Sequence, residues 1–158
     1  MKLTNLKYSL IIAIILTACG RPSNTEPSIE LATESDVHDF IDQFMVDAKK
    51  HGLNLDKSLI KSVKLEDVID GNPRRLGQCS GSAVGQIIQF KKGFSKAETK
   101  LTVYHELGHC MLGLGHTNDD NDIMYTYSTS KPLNNWEAAV NDLFNNANPS
   151  YTKWTTKQ

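Results

Sequence analysis

Residues 95–116 read SKAETKLTVYHELGHCMLGLGH and hold the clearest structural signal in the chain. Ser95 followed by Glu98 has the form of a capping box, in which a hydroxyl and a carboxylate satisfy backbone N–H groups at a helix start. Apolar side chains then recur at helical spacing, namely Leu101, Tyr104, Leu107, Met111 and Leu112. The stretch therefore predicts a helix that begins after Ser95 and ends at about Leu112.

Two histidines, His105 and His109, lie four residues apart on this predicted helix. Residues at that spacing share one face of a helix, one turn apart, so both imidazoles can face the same point. Two neutral imidazoles suit a zinc ion, which binds His nitrogen at about 2.0–2.1 Å. Glu106 lies beside that face, where its carboxylate can take a proton from a metal-activated water. The plain alternative is a polar helix face that binds no metal.

The sequence continues through Gly113-Leu-Gly to His116. Here the chain resembles the metzincin clan of zinc endopeptidases, and in particular its matrixin-like members, which carry H-E-x-x-H-x-x-G-x-x-H. The resemblance implies one catalytic Zn2+ bound by His105, His109 and His116, and it makes Glu106 the general base. The glycine and the third histidine arrive one residue late, which a longer final turn or a π-bulge would absorb. Oxygen ligands from the following loop are the alternative to His116, namely Asp119, Asp120 and Asp122.

Two further residues acquire roles through the same resemblance. The run Asp-Ile-Met-Tyr at 122–125 looks like the metzincin Met-turn, and Met124 follows His116 by eight residues, as in matrixin-like members. Met124 is therefore expected to support the zinc site from beneath without binding the ion. Tyr127 stands where astacin-like and serralysin-like metzincins keep a tyrosine near zinc. Its phenol would stabilise the oxyanion of the reaction, with a pocket wall or a core position as the alternatives.

The N-terminal residues have the pattern of an export signal. Lys2 and Lys7 precede an apolar run over residues 9–18, which is shorter than the ~20 residues that span a bilayer. The run ends in Leu-Thr-Ala-Cys19-Gly, which resembles the lipobox of bacterial lipoproteins. The resemblance implies that residues 1–18 are removed and that Cys19 carries a lipid, at the outer membrane if the cell has one. The alternative is an ordinary signal peptide with an incidental cysteine.

The domain boundaries follow from that interpretation. Residues 19–34 lack periodicity and contain two prolines, so they predict a lipid-anchored tether. Residues 35–158 would form the catalytic domain. It retains Cys79 and Cys110, which in an oxidising compartment predict a structural disulfide, with two buried free thiols as the alternative. Cys110 projects away from the zinc face and is therefore not expected to bind the metal.

The remaining segments predict an α+β fold. An N-terminal helix would begin at a Ser35 cap and bury Val37, Phe40, Ile41, Phe44 and Ala48. Residues 58–69 and 84–90 predict strands of a small twisted mixed sheet, with a turn at 70–73 and a Gly/Ser-rich loop over 77–85. A final amphipathic helix would follow Pro132 and end near Asn145. By resemblance to metzincins, the strand at 84–90 would edge the substrate cleft.

Composition limits the remaining possibilities. The chain has 158 residues, 22% of them charged, and a formal net charge of -1. One domain, expected to be monomeric, fits this length, and the charge balance provides no field for nucleic acid. With the resemblance, these features predict a zinc metalloendopeptidase that hydrolyses peptide or protein substrates. The alternatives are a non-catalytic zinc-containing binding or structural lipoprotein, a zinc hydrolase of another clan, and a non-metal adhesin or inhibitor.

Overall fold

A computed structural model describes residues 29–82, 85–126 and 133–156. The predicted signal peptide, Cys19 and Tyr127 lie outside the described residues. The elements run in the order α1 (Glu34–Lys50), a short 3-10 turn (Lys57–Leu59), β1 (Ile60–Glu66), β2 (Gly77–Ser82), β3 (Gly85–Lys91), α2 (Lys96–Leu112), α3 (Trp136–Asn145) and α4 (Pro149–Thr155).

The three strands form one mixed sheet in the order β1-β3-β2. β1 runs parallel to β3, pairing Val63 with Ile88 and Leu65 with Phe90, and β2 runs antiparallel to β3. Ile88 and Phe90 are buried whereas Ile87 is 41% exposed, because successive side chains of a strand point to opposite faces. The prediction of an α+β fold with a small mixed sheet is confirmed.

Residues 77–85 are not the loop that their glycine and serine content predicts. Gly77–Ser82 form β2, which pairs with β3 and is joined to α2 by a disulfide between Cys79 and Cys110. Residues of low intrinsic strand propensity form a strand here because pairing and a covalent link override local preference. β3 therefore lies in the centre of the sheet. The expectation that residues 84–90 edge the cleft is wrong, and β2 is the edge strand there.

The N-terminal helix begins earlier than predicted, and its cap is Thr33, not Ser35. Thr33 Oγ1 accepts the Asp36 N–H at 3.3 Å, and Asp36 Oδ2 accepts the Thr33 N–H at 2.8 Å. Both bonds of a capping box need an acceptor three residues after the cap. Thr33 has Asp36 at that position, whereas Ser35 has His38, so the reciprocal pair can form only from Thr33.

The second helix, α2, is the element against which the sheet, α1 and α4 pack. Its predicted capping box forms, since Ser95 Oγ accepts the Glu98 N–H at 3.3 Å and Glu98 Oε2 accepts the Ser95 N–H at 2.9 Å. Tyr104 OH donates to Asp47 Oδ2 of α1 at 2.7 Å inside the core. This bond fixes α2 against α1 one residue before His105. The apolar side chains of α2 that are buried include Leu101, Val103, Leu107, Met111 and Leu112.

The C-terminal region contains the predicted helix, which ends at Asn145, and a short helix that was not predicted. This is α4, whose N-cap Asn148 donates its backbone N–H to the Leu112 carbonyl at 2.9 Å. Thr155 Oγ1 donates to the Met111 carbonyl at 2.8 Å. Carbonyls in the last turn of a helix lack partners within it, so α4 satisfies the end of α2. Within the described ranges, no helix is both long and apolar enough to cross a membrane.

Candidate metal centre and catalytic cleft

The end of α2 explains how the third histidine reaches the first two. The Gly113 N–H donates to the Gly108 carbonyl, five residues back instead of four, and the Leu114 N–H donates to the same carbonyl at 3.0 Å. Gly113 has φ 67°, a left-handed conformation that glycine adopts without a steric penalty. The wide final turn absorbs the extra residue of the motif, and the chain then turns back to place His116 beside the helix.

The three imidazoles converge on one point. Nε2 of His105 lies 3.2 Å from Nε2 of His109 and 3.2 Å from Nε2 of His116, and the third edge measures 3.1 Å. His105 Nδ1 lies 2.7 Å from the Ile123 carbonyl, and His109 Nδ1 lies 2.7 Å from the Leu114 carbonyl. A carbonyl only accepts, so each Nδ1 carries the hydrogen and each Nε2 presents a lone pair. Converging lone pairs repel one another unless a cation lies between them.

The dimensions of this triangle fit zinc. Nitrogen ligands at about 2.0–2.1 Å from a tetrahedral ion lie roughly 3.3–3.4 Å apart, close to the 3.1–3.2 Å edges. Burial lowers the pKa of His105 to about 4, and it also lowers the pKa of His109, which keeps both imidazoles neutral. The loop aspartates do not join the cluster. Among the described residues, His105, His109 and His116 are the one group of potential ligands whose donor atoms converge.

Glu106 lies next to this cluster and is almost fully buried. Burial raises the pKa of its carboxyl group to about 7, although a backbone hydrogen bond from Cys79 and the charge of Arg75 act in the opposite direction. A Cβ atom at Gly77 would lie 2.6 Å from Glu106 Oε1, so only a glycine allows β2 to approach the carboxylate this closely. The carboxylate is thus held between helix and strand, with one N–H directed at it.

Met124 packs directly beneath the helix turn that carries the histidines. A Cβ atom at Gly108 would lie 2.4 Å from its sulfur, and the Met124 side chain is only 2% exposed. Its carbonyl accepts the Thr117 N–H at 2.9 Å, which ties this turn to the residue after His116. The preceding residue, Ile123, accepts the hydrogen bond from His105. The turn therefore orients two of the three imidazoles without contributing a ligand atom from Met124.

The disulfide joins the two walls of the cleft. Cys79 of β2 is bonded to Cys110 of α2, which follows His109 directly. Glu106 and Cys110 are four residues apart and share a helix face, so the link lies on the side of α2 from which Glu106 projects. Cys110 is not part of the convergent ligand group. The disulfide predicted from cysteine usage is confirmed.

The resulting cleft has a volume of about 600 Å³ and opens above the histidines. One wall is formed by residues between Asn72 and Cys79, all except Pro73, and the other is the face of α2 that carries Thr102, His105, Glu106 and His109. The sequence predicted the α2 wall, but Arg74 and Arg75 in the opposite wall were missed. A signal for these arginines was available in the sequence, because they follow the turn predicted at 70–73 directly. That turn forms, with positive φ at Asp70 and Gly71.

A match to a known protein family shows where this chain belongs. Residues 29–145, well over half of the chain, match the family described as Matrixin. The chain belongs to the matrixin family. Matrixins are zinc-dependent metallopeptidases, which agrees with the three converging imidazoles. Comparisons with curated proteins and with solved structures found no match. The matrixin match covers the whole of the histidine cluster, the Met124 turn and α3, and it ends before α4.

Proposed function

We propose that this matrixin is an endopeptidase in which His105, His109 and His116 hold one Zn2+ and Glu106 is the general base. The observation that carries the proposal is the convergence of three imidazole Nε2 atoms on one point of an open cleft, with a buried carboxylate beside them. A purely structural metal site is normally closed by a fourth protein ligand. Here the described residues supply three, which leaves room for a reacting group.

Zinc would supply Lewis acidity, polarising a peptide carbonyl and making water acidic near neutral pH. Three neutral imidazoles would leave its double positive charge undiminished. Glu106 would accept a proton from the attacking water and pass it to the departing amine nitrogen as the carbon–nitrogen bond breaks. The Cys79 N–H would hold the carboxylate in position between these two transfers.

The free edge of β2 would position the substrate backbone. Opposite residues of antiparallel strands alternate between hydrogen-bonded pairs and non-hydrogen-bonded pairs. The Lys91 N–H donates to the Leu76 carbonyl at 2.8 Å, so these two residues form a hydrogen-bonded pair and the next pair, Gly77 with Phe90, is non-hydrogen-bonded. Backbone groups of Gly77 and of Cys79 therefore point away from β3. An extended peptide would pair with those groups that Glu106 leaves free.

The test compares wild-type protein with Glu106→Ala on an unfolded protein and on internally quenched peptides, with zinc content measured for both. The proposal expects equal zinc and a 10²–10⁴-fold lower rate for the variant, the usual contribution of a general base. A non-catalytic zinc lipoprotein predicts no difference between the two. Cleavage that survives the substitution unchanged would show that Glu106 is not the base.

A second variant tests the third ligand. If His116 binds zinc, His116→Ala should lose most of its bound metal at zinc concentrations that saturate wild type. A zinc hydrolase that uses a loop carboxylate as third ligand predicts stoichiometric zinc in that variant instead. Asp122→Asn is the matched control, because Asp122 lies in the same loop but its carboxylate accepts the Met124 N–H at 2.7 Å.

Tyr127 is proposed to stabilise the oxyanion, on the support of its position two residues after the methionine. Tyr127→Phe removes only the hydroxyl. For an oxyanion donor it should lower kcat by about 10²-fold with little change in KM. Unchanged kcat would assign the side chain to the pocket wall.

Export and lipid attachment at Cys19 are likewise proposals, supported by the sequence of residues 1–20. Mass spectrometry of the protein recovered from its native membrane should find a chain that begins at a lipid-modified Cys19. Cys19→Ser should release the protein from the membrane fraction. The same preparations can test whether the folded domain sediments as a monomer.

A further inference from the structure

The wall of the cleft opposite α2 carries two adjacent cations. Arg74 and Arg75 belong to this wall and lie just before β2. Thr102 and His105 of α2 line the cleft on the other side. Glu106 is the single acidic side chain among the described residues that line the cleft. Cationic side chains therefore outnumber carboxylates among the described residues that line the cleft, although the whole chain has a net charge of -1.

The loop that presents the two arginines is anchored at both ends. Ile69 is fully buried, and its carbonyl accepts the Asn72 N–H at 2.9 Å. Arg75 Nη1 donates to Asp70 Oδ2 at 3.2 Å and to Gln78 Oε1 in β2. The guanidinium of Arg75 is thereby tied both to the turn and to the strand. The loop thus holds its position relative to the cleft.

The charge of Arg74, in contrast, has no compensating partner among the described residues. Its backbone N–H donates to Asn72 Oδ1 at 3.0 Å, but its guanidinium forms no ion pair or hydrogen bond with any residue that the structure describes. A guanidinium binds a carboxylate through two parallel N–H donors, which fixes orientation as well as charge. Arg74 is therefore available to an anion entering the cleft, with Arg75 beside it.

Both arginines lie to one side of the histidine cluster. Gly77 packs against Thr102 and Glu106, whereas Cys79, further along β2, is bonded to Cys110. β2 and α2 therefore run in the same direction along the cleft. Residues that precede β2 lie toward the N-terminal half of α2, and an extended peptide would pass them on one side of the reacting bond only.

We propose that the cleft takes peptides that carry a carboxylate on the side of the scissile bond facing Arg74. The inference rests on the proposed function in taking a peptide as the ligand. The carboxylate can come from an Asp or Glu side chain or from the C-terminus of a short peptide. Arg74 is then a specificity-determining residue, and Arg75, whose charge is paired with Asp70, holds the loop in place.

The test uses quenched peptides with one common cleavable core, in which Gln, Glu or Lys is placed in turn at each of three positions on either side of the cleaved bond. The expected result is a ratio of kcat/KM for Glu over Gln of about 3- to 10-fold at one or two positions on a single side, with Lys below Gln. The Debye length is about 10 Å at 0.1 M salt and shorter at higher concentrations. Raising the salt concentration well above 0.1 M should therefore bring the ratio toward one. A free-acid and an amidated C-terminus separate the two sources of carboxylate.

Two charge-matched variants assign the preference. Arg74→Glu should bring the Glu/Gln ratio to one or below, whereas Lys64→Glu, an equal change of charge on β1 outside the cleft, should keep the wild-type ratio. The ratio is measured within one preparation, so differences in folding or zinc loading cancel. A flat scan, an equal preference on both sides, or a preference unaffected by Arg74→Glu would overturn the proposal.

Equilibrium binding keeps this outcome separate from the proposed function. Fluorescence anisotropy measures the affinity of the same peptides for zinc-loaded Glu106→Ala, which requires no turnover. Tighter binding of the Glu peptides, lost in the Glu106→Ala, Arg74→Glu double variant, supports the carboxylate preference even if wild type cleaves nothing. Cleavage without any charge preference supports the endopeptidase and rejects the role of Arg74.

Discussion

The two walls of the cleft are built in different ways. The α2 wall, residues 95–116, begins at a reciprocal cap, carries its histidines at a four-residue spacing and ends at a left-handed glycine. The opposite wall, residues 70–82, consists of a turn and a strand rich in glycine and serine that is held by β3 and by the Cys79–Cys110 disulfide. Local signals specify the first wall, whereas contacts distant in sequence specify the second.

This difference indicates how chemistry and selectivity divide between the walls. The side chains proposed to bind zinc and to transfer the proton lie mainly on α2, where helix geometry sets their relative positions. The opposite wall contributes the Cys79 N–H, the free strand edge and the two arginines. Changes in the second wall should therefore alter stability, the placement of Glu106 and substrate choice, with the imidazole cluster left intact.

The largest effect on stability is expected from breaking the covalent link between the walls. Cys79 and Cys110 are separated by 31 residues, and closing a loop of that length stabilises the fold by about 3–4 kcal/mol through the entropy of the unfolded chain. Cys79→Ala with Cys110→Ala should lower the free energy of unfolding by that amount in chemical denaturation. A dithiol reductant should destabilise wild type similarly and leave the double variant unchanged. Equal stability of the two proteins would mean that β3 alone holds the strand.

A slightly smaller effect is expected from the buried carboxylate of the α2 wall. Burial raises the pKa of Glu106 from 4.5 to about 7, so between these values the folded chain keeps a proton that the unfolded chain has lost. The free energy of unfolding of the metal-free protein should therefore decrease as the pH rises from 4.5 through 7. Relative to Glu106→Gln the decrease should be about 3 kcal/mol, since one pKa unit corresponds to about 1.4 kcal/mol.

Denaturant unfolding of both metal-free proteins below and above this window measures the difference. Other titrating groups, including His105 with its pKa lowered to about 4 by burial, affect both proteins and cancel. A pH-independent difference would show that the strand does not bury the carboxylate.

Adding one atom at Gly77 tests the contact between the two walls. Gly77→Ala places a Cβ atom 2.6 Å from Glu106 Oε1 and 2.7 Å from Thr102 Cγ2, so carboxylate and strand must separate. If Glu106 is the general base, displacing it by a fraction of an ångström to an ångström should lower kcat by about 10- to 100-fold while zinc stays bound. Gly115→Ala is the control, because a Cβ atom there meets nothing within 4 Å. Equal activities of the two variants would show that the close approach of Gly77 does not position Glu106.

The smallest effects on stability are expected from removing one serine hydroxyl in each wall. Ser95→Ala removes the helix cap and should cost about 1 kcal/mol of stability. Ser80→Ala, on the exposed side of β2, should change stability by less than about 0.5 kcal/mol. Thermal unfolding of both variants at one pH resolves the difference. A larger cost at Ser80 would indicate that the strand has a local signal of its own.

The same division explains what the sequence could predict. The α2 cap and the extent of that helix follow from neighbouring residues. The α1 cap also has a local signal, because Asp36 follows Thr33 by three residues, but the prediction of Ser35 as the cap does not use it. β2 could not be recognised, since Gly77–Ser82 become a strand only through pairing with β3. The helix α4 had a usable signal, because Asn148 followed by Pro149 is a typical helix start.

The candidate site was predictable to the same degree. His105, Glu106 and His109 follow from spacing on one helix. The left-handed end of the helix at Gly113, with its bond to the Gly108 carbonyl, follows from the glycine, but the path by which the next residues bring His116 back to the helix was not predictable from the spacing. The contact of Gly77 with Glu106 and the position of Arg74 depend on how the first wall packs against the second.

The proposed zinc site is tested most directly by metal analysis combined with anomalous X-ray scattering from crystals of the protein. We expect one zinc ion per chain, bound at about 2.0–2.1 Å by Nε2 of His105, His109 and His116. A chain that folds and crystallises without any transition metal at this point would contradict this expectation. So would an ion coordinated by a loop carboxylate in place of His116.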